Sequence, residues 1–101
     1  MSEQQAKNGV EPKPPTMGLN DNLEFMGRLL HVQTEHTEFP VARIVTHVFS
    51  NGRVLLSKKT ECPPDILESR DFNGIQDLMN AQHNQVLKEI AAKQARILGS
   101  R

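Results

Sequence analysis

The dipeptide Asn51-Gly52 constrains the fold more than any other feature, because it joins "VARIVTHVFS" to "RVLLSKKTEC". Both flanks are rich in β-branched and apolar residues, the composition of strands. A two-residue type I′ turn needs φ above zero at both central positions, which Asn and Gly tolerate best. A hairpin is therefore predicted, with its register fixed by the short loop. Ser50 falls opposite Arg53, Phe49 opposite Val54, Val48 opposite Leu55 and His47 opposite Leu56, followed by Thr46 with Ser57 and Val45 with Lys58. One face then carries Val45, His47, Phe49, Val54 and Leu56. The other carries Ala42, Ile44, Val48 and Leu55 with Thr46 and Ser57. Neither is a plain solvent face.

Upstream, "LEFMGRLLHVQTE" (23–35) reads as a further strand, with Gly27 suited to a bulge or a close backbone approach. A helix over 23–28 is the alternative. The connection "HTEFP" is short and ends at Pro40, so this strand is expected beside the hairpin as an antiparallel neighbour. After Cys62, "PPDILESRD" suits a short helical turn that begins at proline. Asn73 is a candidate N-cap with Gln76 as its capping-box partner. From there Ile75, Leu78, Met79, Gln82, Val86, Ile90 and Ile97 recur at helical spacing, and Gly99 is a plausible stop.

Such a helix is about 25 residues and about 37 Å long, against at most about 33 Å for strands of eight to ten residues. It overhangs the sheet. The expected fold is α+β: a three-stranded antiparallel meander, a short helical turn, and a long C-terminal helix packed on one face. Residues 1–20, with three prolines and few large apolar side chains, are expected to form a disordered leader ahead of a single domain over 21–99. One helix covers one sheet face, and the second apolar face asks for another cover. A second copy of the chain is the simplest.

Composition bounds the function. Lys plus Arg balances Asp plus Glu at 12 each, so no global field favours nucleic acid or an anionic membrane. The chain lacks Trp and Tyr and has only 4 Phe, which leaves little on which bases can stack. No apolar run is long enough to span a bilayer, and no secretion signal is evident, so a cytoplasmic protein is expected. Cys62 is the single cysteine, which excludes an intrachain disulfide.

The polar residues that resist a purely structural reading lie in "HVQTE" (31–35), "THVF" (46–49), "SKKTE" (57–61) and "QH" (82–83), among them His31, Gln33, Glu35, Thr46, His47, Lys58, Gln82 and His83. They are the candidate ligand or partner surface. His31, His47 and His83 would suffice as a zinc shell if they converged, yet no pair has compact ligand spacing. Hydrogen-bonded histidines at the core margin are the plainer reading, and no metal or cofactor is expected. Cys62 with His31 or His47 as base would be a nucleophilic dyad. The thiol stands beside Pro63-Pro64 with no glycine-rich oxyanion loop aimed at it, so an enzyme is not expected. Lys58 and Lys59 occupy successive strand positions and point to opposite faces. They read as guards against open-ended sheet pairing.

The spaced set "HVQTE … IVTHVFSNGRVLLSKKTE … LMNAQHNQVLKEI" resembles a segment of small bacterial proteins, where it recurs alone or at the front of longer chains. The resemblance covers about residues 25–90 and rests on His31, Gln33, Thr34, Glu35, Thr46, His47, Gly52, Lys58, Lys59, Gln82 and His83. It implies a bacterial origin and a standalone module, with no activity or cofactor attached. The expected role is a non-catalytic interaction or assembly module acting as a homodimer, with a further protein partner open. The alternative is a metal- or small-ligand-binding protein that uses the histidines.

Overall fold

The structure, a computed structural model, describes residues 17–38, 41–69 and 72–99. Four strands, β1 (Leu19–Phe25), β2 (Arg28–Thr37), β3 (Arg43–Ser50) and β4 (Arg53–Glu61), form one antiparallel sheet in chain order. A short helix α1 (Pro64–Ser69) leads into the long helix α2 (Phe72–Gly99). The fold is α+β as expected, but the meander has four strands. The extra strand arises at Met26-Gly27, where φ is 53° and 83°, values that match the 53° and 77° of Asn51-Gly52. Phe25 pairs directly with Arg28, so the expected bulge, like the alternative helix over 23–28, gives way to a second tight hairpin turn. Methionine is an unusual occupant of the left-handed region. Its amide donates to Gln94 Oε1 on α2 at 2.5 Å, which helps hold the turn.

A genuine bulge lies elsewhere. Phe49 pairs with Val54, but Val48 pairs with Leu56, leaving Leu55 as the extra residue. The expected register holds only for the first two pairs beyond the turn. Past the bulge His47 meets Ser57, Thr46 meets Lys58 and Val45 meets Lys59. One inserted residue reverses which side chains share a face. Leu56 thereby moves to the helix side and Ser57 takes its place on the face away from the helix, beside Val45, His47, Phe49 and Val54.

The leader's residues 1–16 lie outside the described residues, as do Phe39 and Pro40 in the β2–β3 connection. Leu19 and Asn20, read as leader, belong to β1. Pro64 opens α1 as expected. Asn73 is not a cap: it falls within α2, and Gln76 accepts a hydrogen bond from the Met17 amide (2.7 Å) instead of closing a capping box.

The core lies between α2 and the sheet, in two apolar groups. Leu30, Val32, Val48 and Val86 form one, flanked by Leu23, Phe25, Leu87 and Ile90. Ile44, Cys62, Ile75 and Met79 form the other, flanked by Leu19, Ala42, Ile66, Phe72 and Leu78. Buried Thr34, Thr46, Gln82 and His83 separate them. At 28 residues, α2 runs about 42 Å, past the end of ten-residue β2 at about 33 Å. Near its C-terminus Leu98 is exposed.

Candidate functional site

The separating layer is a polar seam that follows from alternation. Leu30, Val32 and Thr34 point to the helix from β2, and Ile44, Thr46 and Val48 do so from β3. Thr34 and Thr46 are cross-strand partners, which puts their hydroxyls 2.6 Å apart. Gln82 and His83 meet them from the buried stripe of α2. One arrangement gives every donor an acceptor. Thr60 donates to Gln82 Oε1 (2.6 Å), and the two Gln82 Nε2 hydrogens go to Thr46 Oγ1 (3.0 Å) and the Lys58 carbonyl (3.1 Å), with the Ile44 carbonyl (3.4 Å) as a third, shared acceptor. Thr46 then donates to Thr34, Thr34 donates to His83 Nδ1 (2.8 Å), and His83 Nε2–H donates to Asp21 Oδ2 (2.7 Å). The seam thus runs unbroken from β4 to β1. It requires His83 as the Nε2–H tautomer.

Thr34, His83 and Asp21 have the composition of a nucleophile, a base and an orienting acid. Their setting forbids that chemistry. Thr34 is 0 % exposed and its oxygen is already shared with Thr46, so no substrate atom can reach it. Thr34 and His83 act as buried, paired packing, with Asp21 closing the chain at the exposed rim.

The eight candidate residues are divided by the thickness of the sheet. Thr46, Gln82 and His83 belong to the seam, and Lys58 contributes its carbonyl oxygen. His31, Gln33, Glu35 and His47 occupy the opposite, open face. There Phe49 lies between His31 and His47, with ring centroids 6.1 and 5.7 Å away. Asn22 and Asn20 hold the two nitrogens of His31 (2.7 and 3.2 Å), and Ser57 holds His47 Nδ1 (2.7 Å). His83 is therefore separated from the other two rings, and the three-histidine shell does not assemble. Among the described residues, no group of three or more His, Cys, Asp or Glu side chains is placed to hold a metal.

The dyad of Cys62 with His31 or His47 does not form either. Cys62 packs in the core with Ile75 and Met79 on the helix side, and burial pushes its thiol pKa up, away from the thiolate. Asp21 completed the seam without being singled out in the sequence, and Thr60 did so from within the polar stretch 57–61. Their signal was a polar residue at a strand position whose alternation pointed to the helix.

A third region was not read from sequence at all. Helix α2 packs over β1, β2 and β3 but not over β4, to which the hydrogen bonds of Gln82 connect it. All nine residues of β4 are exposed, with Leu55 at 54 % and Leu56 at 52 %. Between β4 and α2 lies a groove of about 390 Å³ walled by Phe25, Met26, Leu30, Val48, Leu55, Leu56 and Ile90, with Arg28 and Lys93 also lining it. A second hollow, of about 300 Å³, lies farther along the same flank, beside Ile44, Thr60 and Leu78.

Comparisons with protein-family models, with curated proteins and with solved structures find no match to this chain. No helix among the described residues is long and apolar enough to cross a membrane.

Proposed function

We propose that this chain is a non-catalytic interaction and assembly module that works as a homodimer joined through the open edge of β4. The observation that carries this reading is the state of that edge. It is nine residues long, unpaired on its outer side among the described residues, uncovered by the helix, and half-exposes Leu55 and Leu56. Long open edges are templates for another strand. The sequence of β4 suits a second copy of itself.

Antiparallel pairing about a two-fold axis at Ser57, the midpoint of the strand, overlaps it fully. Ser57 then faces itself, Leu56 faces the partner's Lys58, and the Arg53 end of one strand lies beside the partner's Thr60–Glu61 end. Centring the pair on Lys58 or Lys59 instead would set like charges directly opposite, which is unfavourable. The lysines therefore disfavour those two registers, and of the rest the one centred on Ser57 gives the greatest overlap. The product is a closed eight-stranded sheet with two-fold symmetry.

The self-opposed position supplies the test. Sedimentation at micromolar concentration is expected to show a dimer for the unaltered chain. Ser57→Lys and Ser57→Glu, each alone, should give monomers because each opposes like charges at the axis. An equimolar mixture of the two should restore the dimer. A monomeric unaltered chain, or a Ser57→Lys variant that still dimerises, overturns the reading.

A further inference from the structure

We infer that the groove between β4 and α2 is a binding site for a single-chain acyl carboxylate. The bulge sends both Leu55 and Leu56 to the helix side, beyond the reach of α2, so the groove is a built consequence of the fold. Its apolar walls are otherwise Phe25, Met26, Leu30, Val48 and Ile90. The charged residues lining it are Arg28, the first residue of β2, and Lys93, three residues along α2 from Ile90. Both are cationic, and among the described residues no acidic side chain lines the groove. Neither forms an ion pair among the described residues.

Long basic side chains lay their stems along apolar surface and keep their charges at the margin. Two unpaired cations beside an apolar cleft match a ligand with one anionic head and one apolar tail. The volume of about 390 Å³ lies in the usual range for a small-molecule site, where apolar walls carry a few orienting polar groups. A carboxylate between guanidinium and ammonium groups gains charge-assisted hydrogen bonds that a neutral alcohol of equal length lacks. The concave shape commits the site to a free, single-tailed amphiphile rather than to a bilayer surface. This inference does not rest on dimerisation, because strand pairing uses the outer edge of β4 whereas the groove opens on its helix side.

The test titrates the full chain, methyl-labelled, with decanoate, decanol and vesicles of phosphatidylglycerol, with sedimentation run alongside. Decanoate is expected to shift the Leu55, Leu56, Val48 and Ile90 methyls saturably and to leave Leu29 and Val54 on the opposite face unmoved. Decanol should bind at least about tenfold more weakly. The double variant Arg28→Gln/Lys93→Gln, altered only at exposed side chains, should lose about tenfold in decanoate affinity while its unfolding midpoint stays the same. Equal affinity for decanol, shifts centred away from the groove, unchanged affinity in the double variant, or binding to vesicles without binding to decanoate each overturns the assignment.

Discussion

The two edges of the sheet are built from the same kind of hairpin but end in opposite states. At β1, α2 reaches across and fastens the strand at three levels, through Gln76 to Met17, His83 to Asp21 and Gln94 to Met26. At β4 the described hydrogen bonds from the helix come from one side chain, Gln82. A helix lying over β2 can cover only its neighbours, so one edge is closed and the other stands open. The lesson is that an α+β layer with one helix and four strands has an uncovered flank, and its side is set by where the polar residues of the helix are anchored.

The contrast can be tested by cutting the anchors. Gln82→Ala strips partners from Thr60, Thr46 and two strand carbonyls, of which those of buried Thr46 and Ile44 are costly to leave unmade. Urea unfolding should show a loss of about 3 kcal/mol, and amide exchange in β4 should accelerate more than in β1. A uniform acceleration would break the comparison. His83→Leu acts on the other edge. It removes the link from Thr34 to Asp21 but keeps apolar bulk, so a loss of about 2 kcal/mol is expected, with exchange rising first in β1.

Met26→Asn sharpens the picture at the closed edge. Asn tolerates the left-handed backbone of position 26 better than Met does, so thermal and urea unfolding should show a gain of about 0.5 kcal/mol. No gain would mean that the packing of Met26 already offsets its backbone cost.

The smallest effect is expected at Cys62, where the open flank closes. Its native pKa is raised by burial. Above the ordinary thiol range of about 8.5, the unfolded chain therefore releases a proton that the native chain keeps. Stability should be full below that range and fall as pH rises through the native value. Cys62→Ala should flatten this dependence. A thiol reagent at pH 7 should react with the native chain only as fast as the chain opens.

Much of this architecture was legible. Asn51-Gly52 announced its hairpin through turn chemistry, and the helical spacing from Ile75 to Ile90 placed the buried stripe. Other features were hidden for physical reasons. Met26 carries no turn signal of its own, because its left-handed backbone is held by Gln94, 68 residues away. The bulge at Leu55 has no glycine to mark it, and missing it exchanged the faces of Leu56 and Ser57. That exchange added Leu56 to the open face, which in the structure mixes His31, Gln33, Glu35, His47 and Ser57 with Leu29, Val45, Phe49 and Val54. The apolar excess sits instead on the β4 flank. The histidines were noticed as polar oddities, but their separation by the sheet follows from register, which spacing alone does not fix across two hairpins.

The polar layer between the two apolar groups also acts as a detent on the long helix. Greasy surfaces are indifferent to small translations, so a rod on a purely aliphatic floor has several nearly equivalent resting positions. Ratcheting α2 by one turn, about 5.4 Å, would carry Gln82 and His83 away from Thr46 and Thr34 and strand several buried groups, at about 1–3 kcal/mol each. The rod is thus indexed to a single notch, and the distance from its far tip to the β1–β2 turn becomes a fixed dimension of the molecule.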